Sequence, residues 1–186
     1  MTELTKGVKQ LLIINVVIFI ITYILYNFKI SLIENFVLFS FNSDYFQPYQ
    51  LLTYMFLHGS FLHIIFNMLC LITFGSDLER RFGTIKFLKI YLLMGVVAGL
   101  FHILTTLNPV MGASGAVWGV MMIYALFNPN TILNLYFLIP VKVKYIVGVF
   151  FSIELYLSIM GNDSVSHVAH VGGALTGAII YLLNRK

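Results

Sequence analysis

The chain has 186 residues, of which 60% are hydrophobic and only 10% are charged, and its formal net charge is +4. A soluble domain carries about 25% charged residues, so a mean hydropathy of +0.94 and long uncharged runs exclude an ordinary soluble protein. The composition predicts an all-α membrane protein with several spans. The single cysteine, Cys70, excludes an intramolecular disulfide, and its place in an apolar run indicates helix packing.

Six apolar runs predict six transmembrane helices in one domain that covers residues 1–186. Helix is expected because lipid offers backbone polar groups no partner outside their own segment, and the runs lack the alternation of a transmembrane β-barrel. The first run lacks a small-residue cleavage site, so it is read as a retained span. The predicted spans are about Leu11–Tyr26, His58–Ser76, Ile85–Thr106, Ser114–Phe127, Tyr145–Met160 and Val165–Leu183.

The positions of lysine and arginine predict the orientation of these spans. With a cytosolic N-terminus, ten of the eleven basic residues face the cytosol and only Lys29 lies outside. This asymmetry favours six spans with both termini cytoplasmic, and a bacterial plasma membrane is the expected location. It also explains the positive net charge without a nucleic-acid partner. The ten inner residues are Lys6, Lys9, Arg80, Arg81, Lys86, Lys89, Lys142, Lys144, Arg185 and Lys186.

Two connections differ from short polar turns. The first outer loop, about Asn27–Leu57, is long and rich in aromatic residues, which is typical of a segment in the membrane interface. The link between the fourth and fifth spans contains an apolar stretch, residues 135–141, that is too short to cross the bilayer. We expect this stretch to lie as interfacial backbone at the cytosolic side.

A serine among small residues opens the fourth span, after Pro109 has disfavoured helix on its N-terminal side. From Ser114 to Phe127 a helix rises about 20 Å, whereas the hydrocarbon core is about 30 Å thick. Ser114 therefore starts about 10 Å below the outer surface. Helical amides that begin at this depth need a water-filled cavity, and their partial positive charge suits a developing oxyanion.

Three other polar residues are predicted at the depth of Ser114. His170 lies as far from the inner end of its span as Ser114 lies from the inner end of the fourth span, about 20 Å. His63 and Asn67 share one face of the second span near the same level. A serine nucleophile needs a base within hydrogen-bond reach, and His170 is the candidate base.

Glycine pairs indicate that the fourth and sixth spans touch. Gly115 and Gly119 follow the serine, and Gly173 and Gly177 follow the histidine. Such small-xxx-small pairs let membrane helices approach closely. Close approach of these two spans is what a direct serine–histidine hydrogen bond requires.

Each of these polar residues also has a structural interpretation. Ser114 alone could cap or pack a helix, His170 could bond a backbone carbonyl, and His63 and Asn67 could bond neighbouring helices. Their joint fit at one depth favours a functional site, because intramembrane ionisable groups are costly and commonly functional.

The remaining titratable residues receive simpler interpretations. His167, one turn outside His170, is a rim residue or an alternative base. His102 is expected to pack, and His58 to face the outer interface. Glu154 is costly in lipid unless it is paired or neutral, so a structural hydrogen bond is its first interpretation, and gating or ion handling its second.

No acid is predicted to complete a catalytic triad. Asp163 lies in an outer loop toward the rim, so the sequence predicts a serine–histidine dyad without a catalytic acid. Zinc binding by His167 and His170 is a weak alternative, because no carboxylate is placed to complete a two-histidine site. No metal and no cofactor are expected.

Three motifs, in order, carry a family resemblance: HGSFLHIIFNM at 58–68, GASG at 112–115, and AHVGG at 169–173 followed by Gly177. The serine motif lacks the second glycine and the preceding strand of the soluble nucleophile elbow. Together the motifs resemble those of the rhomboid intramembrane serine proteases, over essentially all six spans. Glu79-Arg80-Arg81 also fits the structural Glu-x-Arg element of that family.

The resemblance implies a role for each residue of the predicted layer. Ser114 is then the nucleophile and His170 the general base. His63, Asn67 and the backbone amide of Ser114 form the oxyanion hole. The implied fold is the minimal rhomboid-like bundle of six helices, with a short central fourth helix and a long interfacial first loop.

Supporting positions are implied in the same way. Trp118 stands where a tyrosine or phenylalanine more often stacks on the catalytic imidazole. Gly112 and Gly173 support the serine and histidine segments. Tyr49-Gln50 stands where the first loop of the family often has a Trp-Arg pair, which is a departure in loop anchoring and not in chemistry.

The implied reaction is peptide hydrolysis in the bilayer, on single-pass transmembrane proteins that unwind near their outer end. One rival is a catalytically silent rhomboid-like binding protein, although such relatives usually lack the serine or the histidine. The other is a transporter or channel with a proton path through Glu154, His102 and His170. Transporters commonly contain inverted repeats, and none stands out in this chain. The sequence does not indicate an oligomeric state.

Overall fold

The structure, a computed structural model, describes residues 3–29, 33–135, 139–161 and 165–185. Within these ranges the chain is mostly helical. A π-helical turn, Leu71–Gly75, joins α3 to α4, and 3₁₀ turns occupy Ile33–Phe36 and Tyr54–Phe56. The helices and strands are α1 Lys6–Asn27, α2 Gln50–Thr53, α3 Phe61–Cys70, α4 Ser76–Phe82, α5 Thr84–Thr105, α6 Ser114–Phe127, β1 Ile132–Leu135, β2 Ile139–Lys142, α7 Val143–Met160 and α8 His167–Asn184.

Four helical segments of the described chain are long and apolar enough to cross a membrane: Lys6–Asn27, Phe61–Phe82, Thr84–Thr105 and Val143–Met160. They correspond to the first, second, third and fifth predicted spans, so the prediction of a multi-pass helical membrane protein is confirmed. The fourth and sixth predicted spans correspond to α6, which is apolar but shorter, and to α8. The count of six spans stays a prediction.

The short helix α6 lies at the centre of the bundle. Ten of its 14 residues are buried, and it packs against α5, α7 and α8. In contrast, only 17% of the apolar window of α1, and the same share of α7, is buried. Apolar side chains that α1 and α7 leave uncovered suit contact with lipid, and the predicted short central helix is present.

The second long helix continues past its predicted end. The sequence places that end at Ser76, but the helix runs to Phe82 because Glu79, near its end, is buried and fully bonded within the fold. The Glu79 carboxylate accepts hydrogen bonds from groups at the starts of two other helices. At the start of α1 the donors are Gly7 N at 2.8 Å, Val8 N at 2.8 Å and the Thr5 hydroxyl, and at the start of α5 the donor is Thr84 Oγ1 at 2.7 Å. The charged end of the helix is therefore tied to the starts of α1 and α5, which agrees with the structural role that the resemblance implies.

The first loop is anchored by the side chain of Gln50, of which only 1% is exposed. This one carboxamide bonds four backbone groups: Phe39 N at 3.3 Å, Gln47 N at 3.1 Å, Asn35 O at 3.2 Å and Tyr45 O at 3.0 Å. A neutral amide can both donate and accept, so it replaces the expected arginine as the centre of the loop. Earlier in the same loop, Leu38 exchanges two backbone hydrogen bonds of 2.9 and 3.0 Å with Val110, which connects the loop to the segment before Ser114.

The connection between α6 and α7 forms a β-hairpin, which the sequence interpretation did not predict. Strands β1 and β2 pair antiparallel from Ile132 opposite Lys142 to Leu135 opposite Ile139. The hairpin pairs backbone groups of the apolar stretch, for which the sequence predicted only an interfacial position. Residues 136–138 of that stretch are outside the described residues.

Candidate active site

Ser114 is the first residue of α6 and its side chain is half-buried. The turn before it depends on Gly112, whose φ of +134° favours glycine. A Cβ on Gly112 would lie 2.6 Å from Cε1 of His63 and 3.7 Å from Oγ of Ser114. Gly112 N also donates to Tyr54 O at 2.9 Å, which fixes the turn to the first loop. The serine hydroxyl therefore has a rigid support.

The imidazole of His170 faces this hydroxyl from the first turn of α8. Nε2 of His170 lies 2.7 Å from Oγ of Ser114, although the two residues are 56 positions apart in the sequence. The ring of Trp118 lies beside the imidazole, with a centroid distance of 6.0 Å and an interplanar angle of 32°. The tryptophan is thus next to the histidine but tilted against it.

Glycines permit the close approach of α6 and α8. A Cβ on Gly173 would lie 1.9 Å from the carbonyl oxygen of Gly115, and a Cβ on Gly177 would lie 2.5 Å from that of Gly119. Real Cβ atoms do not approach other atoms this closely, so both contacts require glycine. The predicted small-residue pairs are therefore the contact surface between the two helices.

Glu154 of α7 brings a carboxylate to the other side of the His170 ring. Its Oε2 lies 2.9 Å from Nδ1 of His170 and 2.6 Å from Nδ1 of His167. An acid therefore does lie within hydrogen-bond reach of His170, although the sequence indicated none to complete a triad; the absence of a catalytic acid stays a prediction. Asp163, the acid considered from the sequence, lies outside the described residues. The structural hydrogen bond expected first for Glu154 is present, and its partners are His170 and His167.

The same three residues bear on the zinc alternative, for which the sequence indicated no third ligand beside His167 and His170. Ligand atoms of Glu154, His167 and His170 all lie within 4.8 Å of one another, so a carboxylate does accompany the two histidines. The two carboxylate–imidazole distances are those of hydrogen bonds. Two ligands of a tetrahedral zinc ion lie about 3.3 Å apart, given Zn–N and Zn–O bonds of about 2.0–2.1 Å. Shared protons therefore fit these distances better than a shared metal.

His63 and Asn67 lie on α3. The His63 ring is next to Gly112, since its Nε2 would lie 2.7 Å from a Cβ at that glycine. The carboxamide of Asn67 is buried and donates to the carbonyl of His63 at 3.1 Å. Within the part of the chain that the structure describes, no side chain caps the N-terminus of α6, so the first amides of this helix have no side-chain acceptor at the cap.

His58, which precedes the long helical segment Phe61–Phe82, lies beside His63 and is buried, contrary to the expected exposure at the outer interface. The two rings meet edge to face, with their centroids 5.0 Å apart. Burial, and secondarily the nearby His63 ring, lowers the pKa of His58 from 6.5 to about 3. His58 is thus neutral at neutral pH, and its contact with His63 is a contact between two rings.

His102 has two hydrogen-bond partners that the sequence did not indicate. Its Nδ1 lies 2.6 Å from Oγ of Ser166 and its Nε2 lies 2.7 Å from the carbonyl oxygen of Asn108. Because a carbonyl only accepts, Nε2 carries the proton of the neutral ring and Nδ1 accepts from the serine. Ser166 Oγ in turn accepts from Ala169 N at 3.3 Å and caps α8. His102 therefore connects α5 to the start of the helix that carries His170.

These features define a class of protein: a helical membrane protein with a serine–histidine pair at the start of a short central helix. A family model described as a rhomboid domain matches residues 45–186. The chain therefore belongs to the rhomboid family.

Individual relatives agree with the family model. RHOMBOID-like protein 12, mitochondrial, of Arabidopsis thaliana is 32% identical over 158 residues, which cover 74% of this chain and 47% of that protein. Rhomboid protease AarA of Providencia stuartii is 32% identical over 146 residues, with 68% and 52% covered. Rhomboid protease GluP of Bacillus subtilis (strain 168) is 28% identical over 137 residues, with 72% and 26% covered. The chain thus spans about half or less of the length of these relatives.

Proposed function

We propose that this chain is an intramembrane serine endopeptidase, with Ser114 as nucleophile and His170 as general base. The observation that carries the proposal is the 2.7 Å contact between Oγ of Ser114 and Nε2 of His170. A hydroxyl at this distance from an imidazole nitrogen can transfer its proton as it attacks a carbonyl. Two of the similar proteins are named rhomboid proteases, which supports the same reaction.

The reaction proceeds through an acyl-enzyme. Nε2 of His170 takes the hydroxyl proton while Oγ of Ser114 bonds to the peptide carbonyl carbon. The protonated imidazole then gives its proton to the leaving amine, the peptide C–N bond breaks, and the ester between Ser114 and the substrate remains. Water, activated by the same imidazole, hydrolyses this ester. No step needs a cofactor or a metal.

The oxyanion is assigned to three donors: the backbone amide of Ser114 and the side chains of His63 and Asn67. Uncapped amides at the start of α6 and the positive end of that helix favour a negative charge there. Asn67 donates to its own helix in this structure, so its amide must rotate toward the cleft to assist. Substituting Asn67 by alanine is therefore expected to lower kcat more than it raises KM.

The substrates that fit this site are membrane-spanning protein segments, single-pass proteins above all, that can unwind near their outer end. Such a segment enters sideways from the bilayer, and the sparse burial of α7 supports entry beside this helix. Crosslinking α3 to α7 should block cleavage, and full activity of the crosslinked protein would refute this route. The lysine and arginine distribution supports an orientation with both termini in the cytoplasm. A bacterial plasma membrane as the location, and one membrane domain over residues 1–186, are part of the same proposal.

The decisive experiment is labelling of the purified protein by a fluorophosphonate probe, combined with cleavage of a model transmembrane substrate in liposomes. The proposal expects labelling and cleavage by the unaltered protein, and loss of both in Ser114→Ala and in His170→Ala. Labelling that survives His170→Ala would mean that another base activates the serine. Binding of the substrate without cleavage would indicate a silent rhomboid-like protein, and ion flux that survives Ser114→Ala would indicate a channel.

A further inference from the structure

One carboxylate oxygen joins the two histidines of α8. Oε2 of Glu154 lies 2.9 Å from Nδ1 of His170 and 2.6 Å from Nδ1 of His167. All three side chains are largely buried, with 15%, 11% and 9% of the Glu154, His170 and His167 side chains exposed. A carboxylate at such a place needs hydrogen-bond donors, because its charge is costly in an apolar surrounding.

The proton positions follow from these contacts. If Nε2 of His170 is to accept the Ser114 proton, the proton of the neutral ring must be on Nδ1. Among the described residues, Glu154 is the group that bonds this Nδ1, and an ionised carboxylate can only accept. The carboxylate therefore selects the tautomer in which Nε2 is free to act as a base.

We propose that Glu154 is a positioning residue of the catalytic site, so that Ser114, His170 and Glu154 act as a triad. The inference rests on the proposed protease function. Glu154 orients the imidazole and stabilises the imidazolium that forms when Nε2 takes the serine proton. The proton stays on Nδ1 throughout, Glu154 stays ionised, and the second proton moves from Nε2 to the leaving amine.

His167 has a supporting part in this arrangement. Its Nδ1–H donates to the same oxygen at 2.6 Å, so this carboxylate oxygen accepts two hydrogen bonds, one from each histidine. This second donor keeps the oxygen aimed between the two rings, which lie at 89° to each other. The titratable groups around His170 in the described chain are thus Glu154 on α7, His167 on α8 and His63 on α3.

The alternative is that Glu154 only ties α7 to α8. Replacement by glutamine separates the two roles, because the amide preserves the size of the side chain but removes its charge. As a positioning residue, Glu154→Gln lowers kcat about 100-fold with KM nearly unchanged. The acid limb of the pH–rate profile also moves to lower pH, because the imidazolium loses its anionic partner. Glu154→Asp, which keeps the charge, restores part of kcat.

The experiment measures cleavage of a model transmembrane substrate in liposomes over a pH series, normalised to the folded fraction of each variant. Glu34→Gln is the matched control, because it makes the same chemical change at an exposed position of the first loop and should leave the profile unaltered. Glu154→Gln with the kcat and pH profile of the unaltered enzyme would overturn the proposal. So would a loss that follows the folded fraction alone, or an activity that requires added zinc.

A second measurement avoids any variant that does not fold. In the unaltered protein with ¹⁵N-labelled histidine, the proposal expects His170 protonated on Nδ1, with this proton shifted strongly downfield by the carboxylate. A proton on Nε2 at neutral pH would overturn it. The two proposals fail separately: absence of probe labelling in the unaltered protein rejects the protease, whereas normal labelling with an unaffected Glu154→Gln rejects only the triad.

Discussion

The carbonyl oxygen of Gly115 lies 1.9 Å from the position that a Cβ on Gly173 would occupy. Because Gly173 has no side chain, the backbones of α6 and α8 can approach this closely. Their spacing sets the distance between the serine at the start of one helix and the histidine at the start of the other. The serine–histidine contact of 2.7 Å thus depends on a residue that does not take part in the chemistry.

Gly173→Ala is expected to abolish most of the activity. The added methyl forces the helices apart, and a displacement of about 1 Å in a catalytic pair costs about 100-fold in rate. The measurement is fluorophosphonate labelling and substrate cleavage by protein that still elutes as a folded species.

The control for this change is Gly148→Ala on α7. A Cβ at Gly148 would meet nothing within 4 Å, and alanine favours the helix interior by about 1 kcal/mol over glycine. Activity near that of the unaltered protein is therefore expected from the control. Equal activity of both variants would show that the α6–α8 contact does not set the site geometry.

Gln50→Ala is expected to destabilise the first loop. The substitution removes four hydrogen bonds from backbone groups around a buried amide, and the expected loss in the free energy of unfolding is about 2–4 kcal/mol. Gln47→Ala is the control, because Gln47 is exposed and only its backbone amide takes part in the cluster. Thermal unfolding in detergent measures both, and equal unfolding temperatures would contradict the anchoring role of Gln50.

The close approach of Ser114 to His170 could be predicted because two sequence signals agree. The residue count along the fourth and sixth spans places both side chains at one depth, and the glycine pairs favour contact between these spans. The predicted fourth span also has the bounds of α6, since proline before Ser114 and an apolar run after it limit the helix on physical grounds.

Glu154 could have been found by the same count. From Val143, the first residue of α7, it lies about 17 Å along the helix, within one turn of the distance of about 20 Å counted for Ser114 and His170 from the predicted inner ends of their spans. The count along the second, fourth and sixth predicted spans does not include the fifth, which is predicted to run in the opposite direction. Because α7 and α8 pack side by side, the Glu154 carboxylate reaches the His170 imidazole. No local feature of the sequence indicates which helices are neighbours in this way.

The anchoring by Gln50 and the hairpin β1–β2 could not be predicted for a related reason. The four partners of Gln50 are backbone groups, which every residue has, so no side-chain pattern indicates them. In the hairpin, Pro140 disfavours a strand because proline cannot donate to the ladder. Pro140 nevertheless lies in β2, opposite Asn134 of β1.

Acid is expected to destabilise the protein through His58. Burial lowers the pKa of this group to about 3, so between about pH 3 and pH 6.5 the unfolded chain binds a proton that the folded chain does not. Stability therefore falls as the pH drops through this window and is unaffected by His58 above it. The loss between pH 8 and pH 5 amounts to about 2 kcal/mol.

His58→Phe tests this expectation. The variant lacks the titrating group, so its free energy of unfolding should change less between pH 8 and pH 5 than that of the unaltered protein, by about 2 kcal/mol. The comparison of the two pH values within each protein removes any constant effect of the substitution on packing. Identical pH dependence in both proteins would mean that His58 does not carry a lowered pKa in the fold.

Glu79→Gln is expected to loosen the end of the bundle where α1 and α5 begin. The carboxylate accepts hydrogen bonds from the Gly7 and Val8 amides and from the Thr84 hydroxyl at 2.7–2.8 Å, and an amide that presents its own N–H groups cannot accept them all. Hydrogen bonds to a charged acceptor contribute about 1.5–3 kcal/mol each, so a total loss of about 3 kcal/mol in the free energy of unfolding is expected. Hydrogen exchange should then increase most in the first turn of α1.

Arg80→Ala provides the contrast for this prediction. Arg80 pairs with Asp77 at 2.6 Å and donates to the carbonyl of Glu3 at 2.6 Å. Both contacts are exposed, the Arg80 and Asp77 side chains by 41% and 44%, and exposed pairs contribute about 0–1 kcal/mol. A small loss is therefore expected although the substituted residue is adjacent to Glu79. If Arg80→Ala destabilised the protein as much as Glu79→Gln, the charge of the whole segment, and not the buried carboxylate, would hold α1 and α5 together.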